Sequence, residues 1–548
     1  MAEQEPEHKR VRVVRRILRW LSVGFLTLLL ALMLILQAPW KSTVLLAAFL
    51  AACTVLPKPL RKWFWLSVGA AVLALVIWVL MPENNQGWRP YTFDAELAAL
   101  EAKYAIPDEE NAALAYDAIL EPLDIDSNQP EFFLKSTPSS INEPWLSKDH
   151  PEMAEWLKDR QDTIAKLLEA SRRNKCYFSV PSYSWDMGQH MDRLASMRPC
   201  GYLLISAGNN DIGEGRIDAG LEKYLCIIRI ADHLYQQPAA LDFLVGSALE
   251  SLALTQLNRF VIERESTAEQ LQLISNASGD LKNNWGSQFK RFLETDKLLT
   301  KNTICSMAYE VNPEGEVRLS RNPIASVSAT QSQELPTLTR VLYKAKTIFN
   351  WFFMPSTPQK AAEIFDASFD RYNAMTEPDF DWVTQPQNFD QLFTKSKLIR
   401  SSLNYRYFAR LIVELSEGAY FGLHDAYLRS LAVPRSSRVL IAVKQYRNEH
   451  GTWPDDLNAI RSSVSAEALI DPQNNSSFVY KLTGEAFTFY SKGKNDIDEE
   501  GRKRTTTDPN SYWPDDILFW PPKTHKTEQE NNDQGNGYEE MMKQMMSL

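Results

Sequence analysis

The first eighty residues contain the feature that most constrains the fold, a series of long apolar runs. Ile17–Leu36 is twenty residues long, and Arg19 is its only charged side chain. An α-helix rises about 1.5 Å per residue, so this run is long enough for a hydrocarbon layer of about 30 Å. Trp63–Met81 is a second run of nearly the same length. Both predict transmembrane helices, because the first is too long for a signal peptide and more apolar sequence follows it.

A third apolar run, Thr43–Leu56, leaves the number of spans open. As a helix it is only about 21 Å long, which is marginal for a bilayer. The transmembrane region, residues 17–81, therefore has three spans (17–36, 43–56 and 63–81) if the short run crosses, and two if it is re-entrant.

Basic residues favour the three-span topology. The first cluster belongs to the basic tail, residues 1–16, and the start of the first run: Lys9, Arg10, Arg12, Arg15, Arg16 and Arg19. The second cluster is Lys58, Arg61 and Lys62. With three spans both clusters are cytoplasmic, as the positive-inside rule requires. We then expect a bacterial inner-membrane protein with a cytoplasmic N-terminus and a periplasmic large domain. With two spans the large domain is cytoplasmic.

Net charge gives information on the class of partner, and cysteine content gives information on disulfides. The net charge of −10 and the lack of a basic stripe beyond the N-terminus argue against a nucleic-acid binder. The expected partners are the lipid bilayer and other proteins of the cell envelope. Four cysteines lie beyond the apolar runs, and both disulfides and buried free thiols agree with that even number: Cys176, Cys200, Cys226 and Cys305.

Residues 93–434 read as a helical domain. Apolar residues recur at helical spacing after Asp94, after Pro107 and after Pro151. The stretch from Cys200 to Leu234 predicts a helix, a glycine-rich turn and a second helix, with Gly215, Ala219 and Tyr224 at packing positions. It resembles one tetratricopeptide-like hairpin, but no fixed repeat period is present, so we predict an irregular helical array. A loop is expected at 312–335, helices at 358–374 and 390–431, and a disordered tail at 523–548.

Residues 435–522 predict a small α+β unit. The helix "RSSRVLIAVKQYRNEHG" ends at Gly451, and Trp453-Pro454 forces an extended step before a short helix. "SFVYKL" and "FTFYS" alternate around Gly484 as a β-hairpin, and "DDILFW" predicts a third strand. A helix packed on a small antiparallel sheet buries the apolar faces of both.

This order resembles the globular part of the major pseudopilins of type II secretion. The matching residues are Tyr446, His450, Gly451, Trp453, Pro454, Leu457, Asp471, Pro472, Tyr480, Tyr490, Ser491, Gly493, Asp496, Asp498, Asp515, Asp516 and Ile517. A pseudopilin also has one N-terminal helix with a glutamate five residues past its cleavage point. Here Gly24 lies inside the apolar run and Leu29 stands at the glutamate position. The whole chain therefore looks like a large bacterial membrane protein carrying such a unit, rather than a processed filament subunit.

The resemblance implies calcium in the acidic loop. Its candidate ligands are Asp496, Asp498, Asp515 and Asp516, because calcium takes about six to eight oxygens from carboxylates and loop carbonyls. The alternative is a solvated acidic loop neutralised by Lys492, Lys494 and Arg502.

The nearest approach to a catalytic cluster is "SWDMGQHMDRL", which contains Asp186, His190 and Asp192. A polar helix start explains the same residues, so we assign no catalytic residue.

The fold class predicted overall is a membrane-anchored, mainly α protein. It has N-terminal transmembrane helices, a tetratricopeptide-like helical array and a C-terminal pseudopilin-like α+β unit. The predicted function is non-enzymatic: an envelope protein that acts in protein interaction, assembly or scaffolding in a secretion-like system. The alternative is an envelope enzyme with a site around Asp186 and His190.

Overall fold

The computed structural model describes most of the chain after residue 87. The described residues are 40–55, 63–70, 87–120, 128–135, 138–180, 187–279, 285–320, 351–377, 379–382, 394–501 and 516–522, with isolated positions 27, 30, 57, 60 and 73.

The described helices, in chain order, are α1 (Trp40–Val55), α2 (Asp94–Tyr104), α3 (Ala112–Leu120), α4 (Glu131–Leu134), α5 (Pro151–Lys158), α6 (Gln161–Ser171), α7 (Met187–Gly213), α8 (Ile217–Tyr235), α9 (Ala240–Glu263), α10 (Ala268–Ala277), α11 (Trp285–Ala308), α12 (Pro358–Phe369), α13 (Lys395–Leu403) and α14 (Tyr405–His450). Short 3₁₀ helices cover Asp370–Thr376, Leu457–Ile460 and Ala466–Leu469. The strands are β1 (Arg89–Pro90), β2 (Tyr309–Val311), β3 (Val317–Leu319), β4 (Val479–Thr483), β5 (Ala486–Ser491) and β6 (Ile517–Trp520).

The protein is mainly helical, which confirms the predicted mainly α class. Local chemistry explains several helix starts. Pro151 and Pro358 occupy first-turn positions, where the missing backbone N–H costs nothing. The Thr267 hydroxyl accepts a hydrogen bond from the N–H of Gln270, whose side chain bonds back to the N–H of Thr267, a capping box that begins α10.

Several predicted helices differ in their bounds, and the helix expected at 390–431 is interrupted at Asn404, between α13 and α14. The helix expected from Pro107 begins only at Ala112, because residues after Pro107 form a turn. The pattern after Pro151 divides into α5 and α6 at Asp159–Arg160. The strand pair β2–β3 was not expected from the sequence.

The first of two compact units, unit 1, comprises Met1–Ala98, Ser182–Trp185 and Asp296–Tyr420. Its antiparallel sheet has the order β1-β2-β3, with Arg89 opposite Val311 and Tyr309 opposite Leu319. Lys301 is buried within this unit and pairs with Glu96 at 2.6 Å and Asp366 at 3.4 Å.

Unit 2 comprises Ala99–Pro181, Asp186–Thr295 and Phe421–Leu548. The predicted helix–turn–helix is present as α7 and α8, and α9 packs on both. Tyr224 is fully buried, and a Cβ on Gly208 would lie 2.6 Å from its ring, so glycine there permits the close approach. Ala219 is exposed and does not pack, contrary to expectation.

The expected boundary between residues 434 and 435 falls inside one continuous helix, α14, which contains Pro434. Residues on both sides of it belong to unit 2. Arg438 Nε donates to the Ser278 carbonyl at 2.8 Å, and Lys444 Nζ donates to the Ile262 carbonyl at 3.4 Å. Within unit 2, α14 therefore joins the helical array directly.

The C-terminal sheet has the antiparallel order β4-β5-β6. Gly451, with φ of +77°, ends α14 in the left-handed conformation that glycine adopts without strain. Trp453 is only 8% exposed; its Nε1 donates to the Glu485 carbonyl at 3.0 Å, and its ring lies edge-on to Phe487.

Only part of the predicted transmembrane region lies within the described residues. The predicted span 17–36 and most of 63–81 lie outside the described residues. Helix α1 covers most of the short run and has 16 residues. Among the described residues, one helix has the length and apolarity to cross a bilayer, α9, and half of its apolar window is buried inside the protein. Because α9 packs between other helices of unit 2, it fits the core of that unit.

Cys176, Cys200, Cys226 and Cys305 are free and buried. Burial raises the pKa of each thiol, to about 12 for Cys200 and about 11 for Cys226. They contribute as small apolar core residues rather than as disulfides.

Candidate functional site

The loop after β5 contains the predicted calcium ligands. Asp496 and Glu500 adopt positive φ angles of 55° and 61°, and Gly493 and Gly501 do the same. Left-handed turns fold this acidic segment back towards the start of β6. The position of Asp515 lies outside the described residues, whereas Asp516 immediately precedes β6.

Asp496 and Asp498 are neutralised by lysines within the C-terminal unit. Asp496 pairs with Lys492 and accepts a hydrogen bond from Ser476 Oγ at 3.0 Å. Asp498 accepts from Tyr490 Oη at 2.6 Å and pairs with Lys481 at 2.9 Å. The Tyr490 hydrogen bond, with Lys481 beside it, lowers the pKa of Asp498 to about 2.

Asp516 is in a different environment, almost completely buried beside Glu499. Its Oδ2 accepts hydrogen bonds from the N–H groups of Glu499, at 3.0 Å, and Gly501, at 2.7 Å. Its other side-chain partner is the Glu499 carboxyl group, with which it shares a hydrogen bond. Burial, together with the neighbouring Glu499 carboxyl group, raises the pKa of Asp516 to about 7. Burial and the neighbouring carboxyl group thus disfavour the charged form of Asp516.

A calcium ion fits this loop only in part. Within the described ranges, no group of three or more His, Cys, Asp or Glu side chains is arranged to hold a metal ion. The lysine-paired Asp496 and Asp498 are not gathered around Asp516. The buried carboxyl groups of this loop are Asp516 and Glu499, which accepts a hydrogen bond from Asn495 Nδ2 at 2.7 Å. Loop carbonyls and water would have to supply the other oxygens around a cation.

His190 pairs with a residue outside the sequence cluster on which the enzyme alternative was based. His190 Nε2 lies 3.1 Å from Asp242 Oδ2, in the first turn of α9, and the exposed fractions of these side chains are 6% and 1%. Asp192 is exposed, and Asp186 lies outside the described residues. The pair therefore connects α7 to α9 inside unit 2 and is closed to a substrate.

Polar side chains of the helical array mainly bond to one another. Asn209 is fully buried; it donates to the Ser140 carbonyl at 2.8 Å and accepts from Tyr224 Oη at 2.6 Å. Asp211 is bound by Arg216 at 2.7 Å and by Lys223. These groups stabilise the array internally, because buried polar atoms need partners.

Exposed apolar side chains lie on α3 and on the first turns of α7 and α9. The His190–Asp242 contact joins these turns, and Arg193 Nε binds Asp117 Oδ1 of α3 at 2.8 Å. Four large apolar side chains within a few residues of these contacts are 36–49% exposed: Leu114, Met191, Leu241 and Leu244. We call these four residues the apolar end surface.

The sequence did not predict that Glu499 lies beside Asp516 or that His190 contacts Asp242. Glu499 is one of several acidic residues in its loop, and nothing in its spacing distinguishes it. Asp242 is 52 residues from His190, so no local spacing connects the two side chains.

Comparisons with known proteins add no relative: no protein-family model, curated protein or solved structure is significantly similar to this chain. The pseudopilin resemblance of residues 435–522 therefore stays a prediction that depends on its motif residues alone.

Proposed function

We propose that this protein is a membrane-anchored, non-enzymatic interaction protein of the bacterial cell envelope, with an assembly or scaffold role in a secretion-like system. One observation carries the proposal. The helical array uses its polar side chains internally, whereas the apolar end surface presents four large apolar side chains to solvent. Exposed apolar patches mark protein–protein or membrane interaction sites and ligand-binding grooves.

The composition of this surface also suits a protein partner. Its four members are apolar, and the Arg193–Asp117 pair between α7 and α3 adds charge nearby; Arg193 also lies 4.4 Å over the Phe178 ring. An apolar centre with a charged rim that includes arginine is the usual anatomy of a protein interface.

The enzyme alternative has less support. A general base must reach a substrate proton within hydrogen-bonding distance. His190 is buried, and its Nε2 faces Asp242. The site would need α7 and α9 to separate before any substrate could approach.

Substitution of the surface leucines tests the interaction role. The variant Leu241→Ser/Leu244→Ser is compared with Leu273→Ser in full-length protein crosslinked in its native membrane. Leu273 is a matched control because it is 45% exposed and lies on α10, beyond the opposite end of α9. We expect the double variant to lose at least about fivefold of its crosslinked partners and Leu273→Ser to keep them. Equal recovery from both variants would contradict the proposal.

Membrane anchoring and orientation form a separate part of the proposal. The runs 17–36, 43–56 and 63–81, with basic clusters at both cytoplasmic ends, support three spans. A phosphatase fusion after Met81, active only in the periplasm, should be active. Activity confined to a cytoplasmic reporter at the same position would place the large domain on the other side.

We also assign calcium to the acidic loop, with Glu499 and Asp516 as its carboxylate ligands. Its support is the pair of neighbouring buried carboxyl groups, whose mutual repulsion a bound cation would relieve. Calorimetry of the full-length protein in millimolar calcium should show binding that Asp516→Asn abolishes and Asp498→Asn leaves intact, since Asp498 is held by Lys481 and Tyr490. Equal loss in both variants would point instead to the four-aspartate site, and no heat from the unsubstituted protein would exclude calcium.

A further inference from the structure

Unit 1 contains an apolar cavity that the scaffold role does not use. Its volume is about 610 Å³, within the usual range of small-molecule sites. The walls come from the end of α11, from residues 353–354, from α13 and from the start of α14. All of these segments belong to unit 1.

The cavity has almost no polar wall. Nine of its eleven lining residues are apolar, and the other two are Ser401 and Ser402. Ser401 Oγ donates to the Leu398 carbonyl at 2.9 Å, and Ser402 Oγ donates to the Ile399 carbonyl at 3.0 Å. Both hydroxyl protons are therefore used within α13. A ligand for this space is held by hydrocarbon contact rather than by hydrogen bonds.

The cavity is open to solvent through apolar side chains. Met307, Leu398 and Ile399 line it and remain 46%, 40% and 48% exposed. Phe353, on the opposite wall, packs edge-on against Phe408 at 5.6 Å. Trp351, two residues before Phe353, is 44% exposed. Tryptophan beside exposed aliphatic side chains is typical of surfaces that enter a membrane interface.

Helix α13 and the start of α14, which supply part of the cavity wall, are rich in basic residues. The sequence 395–413 contains Lys395, Lys397, Arg400, Arg406 and Arg410 and no acidic residue. Lys397 and Arg410 pair with Glu414, at 3.5 Å and 2.7 Å. Arg400 and Arg406 are exposed, and Arg400 lies between the lining residues Ile399 and Ser401. A short basic helix with exposed Leu and Ile is suited to anionic lipid head groups.

We propose that this cavity binds an acyl chain of an anionic phospholipid, with Arg400 and Arg406 contacting the head group. The apolar walls account for the chain, and the guanidinium groups account for the preference for a negative head group. The proposal is independent of the protein partner of unit 2.

The test uses the full-length protein in vesicles of phosphatidylglycerol that carries a diazirine on one acyl chain. After photolysis, peptide mapping should place labels in 304–308, 353–354 and 398–411. Ser402→Phe fills the cavity and should lower this labelling at least about fivefold. Ser396→Phe is the matched control, because Ser396 is an exposed serine of the same helix that does not line the cavity. If Ser402→Phe loses its cooperative thermal transition, Ile399→Glu, which places a charge at the opening, replaces it.

The head-group assignment has its own comparison. Arg400→Gln/Arg406→Gln should lower labelling from phosphatidylglycerol at least about threefold and leave labelling from the matching phosphatidylcholine probe unchanged. Labels confined to residues 17–81, or labelling unaffected by filling the cavity, would overturn the acyl-chain site. Equal labelling from both lipids would overturn the anionic preference. Labelling only by a free photoreactive fatty acid would overturn a phospholipid ligand.

Discussion

His190 Nε2 lies 3.1 Å from Asp242 Oδ2, and the contact joins the first turns of two helices, α7 and α9, inside unit 2. Both side chains are almost completely buried, and Asp242 Oδ1 has no hydrogen-bond partner. A buried carboxylate depends on its partner, because removing that partner leaves the desolvation cost uncompensated. The pair thus acts as a structural connection beneath the apolar end surface.

Asp242→Asn should destabilise unit 2 by about 1–3 kcal/mol, since the buried side chain that faces His190 Nε2 loses one of its two acceptor oxygens. Hydrogen exchange of amides in α7 and α9 measures this loss locally. Asp192→Asn, at an exposed position on α7, should change the exchange by less than about 0.5 kcal/mol. Unchanged exchange in Asp242→Asn would show that the contact contributes nothing to stability.

The sequence predicted the elements around this contact but not the contact itself. Helical periodicity and the glycine-rich turn predict α7 and α8 because those signals are local. The partner of His190 depends on how α9 packs against α7. That tertiary arrangement cannot be predicted from the local spacing of residues. For the same reason, Asp186, His190 and Asp192 look like a cluster along the chain, whereas His190 pairs elsewhere.

The Asp516 carboxyl group should make the C-terminal unit less stable as pH rises. In the unfolded chain an aspartate titrates near about 4, whereas in the fold burial and Glu499 raise the pKa to about 7. Between these values the folded state binds more protons, so the free energy of unfolding falls with rising pH. The contribution is fully present below about pH 4 and is lost above about pH 7.

Hydrogen exchange of the β5 and β6 amides, followed from pH 5 to pH 8 in a calcium chelator, measures this dependence. Protection should fall by at most about tenfold per pH unit, since one proton changes the free energy by about 1.36 kcal/mol per unit. Asp516→Asn should flatten the profile, and the exposed-site control Asp455→Asn should retain it. A profile that rises towards pH 8 in the unsubstituted protein would contradict the raised pKa.

Trp453 should be the main anchor between the end of α14 and the C-terminal sheet. Its ring packs on Phe487, with centroids 4.9 Å apart, and Arg447 lies 4.1 Å above it. Trp453→Ala should cost about 3–5 kcal/mol, as large-to-small changes in a core do. Trp453→Phe keeps a ring and loses the hydrogen bond to Glu485, so it should cost about 1 kcal/mol. Chemical denaturation, monitored by hydrogen exchange of the β4 and β5 amides, distinguishes these values. Equal costs for the two variants would show that the aromatic ring does not supply the packing energy.

The C-terminal unit was predicted best because its signals are local. Gly451, the Trp453-Pro454 step and the alternating aromatic residues predict the helix end, the extended step and the hairpin, all of which are present. The separate environments of the acidic residues could not be predicted from the sequence. Acidic residues of one loop look equivalent in sequence, yet Lys481 and Lys492 neutralise Asp498 and Asp496, and only Asp516 is buried beside a second carboxyl group.

We propose that this protein binds a protein partner through the apolar end surface of unit 2. The most direct measurement places a photoreactive phenylalanine derivative at position 244 or, as control, at position 273 of the full-length protein in its native membrane. Both leucines are similarly exposed, at 39% and 45%. If the protein partner binds at the apolar end surface, position 244 gives discrete protein adducts and position 273 gives none. Adducts of equal yield from both positions, or none from position 244, would contradict it.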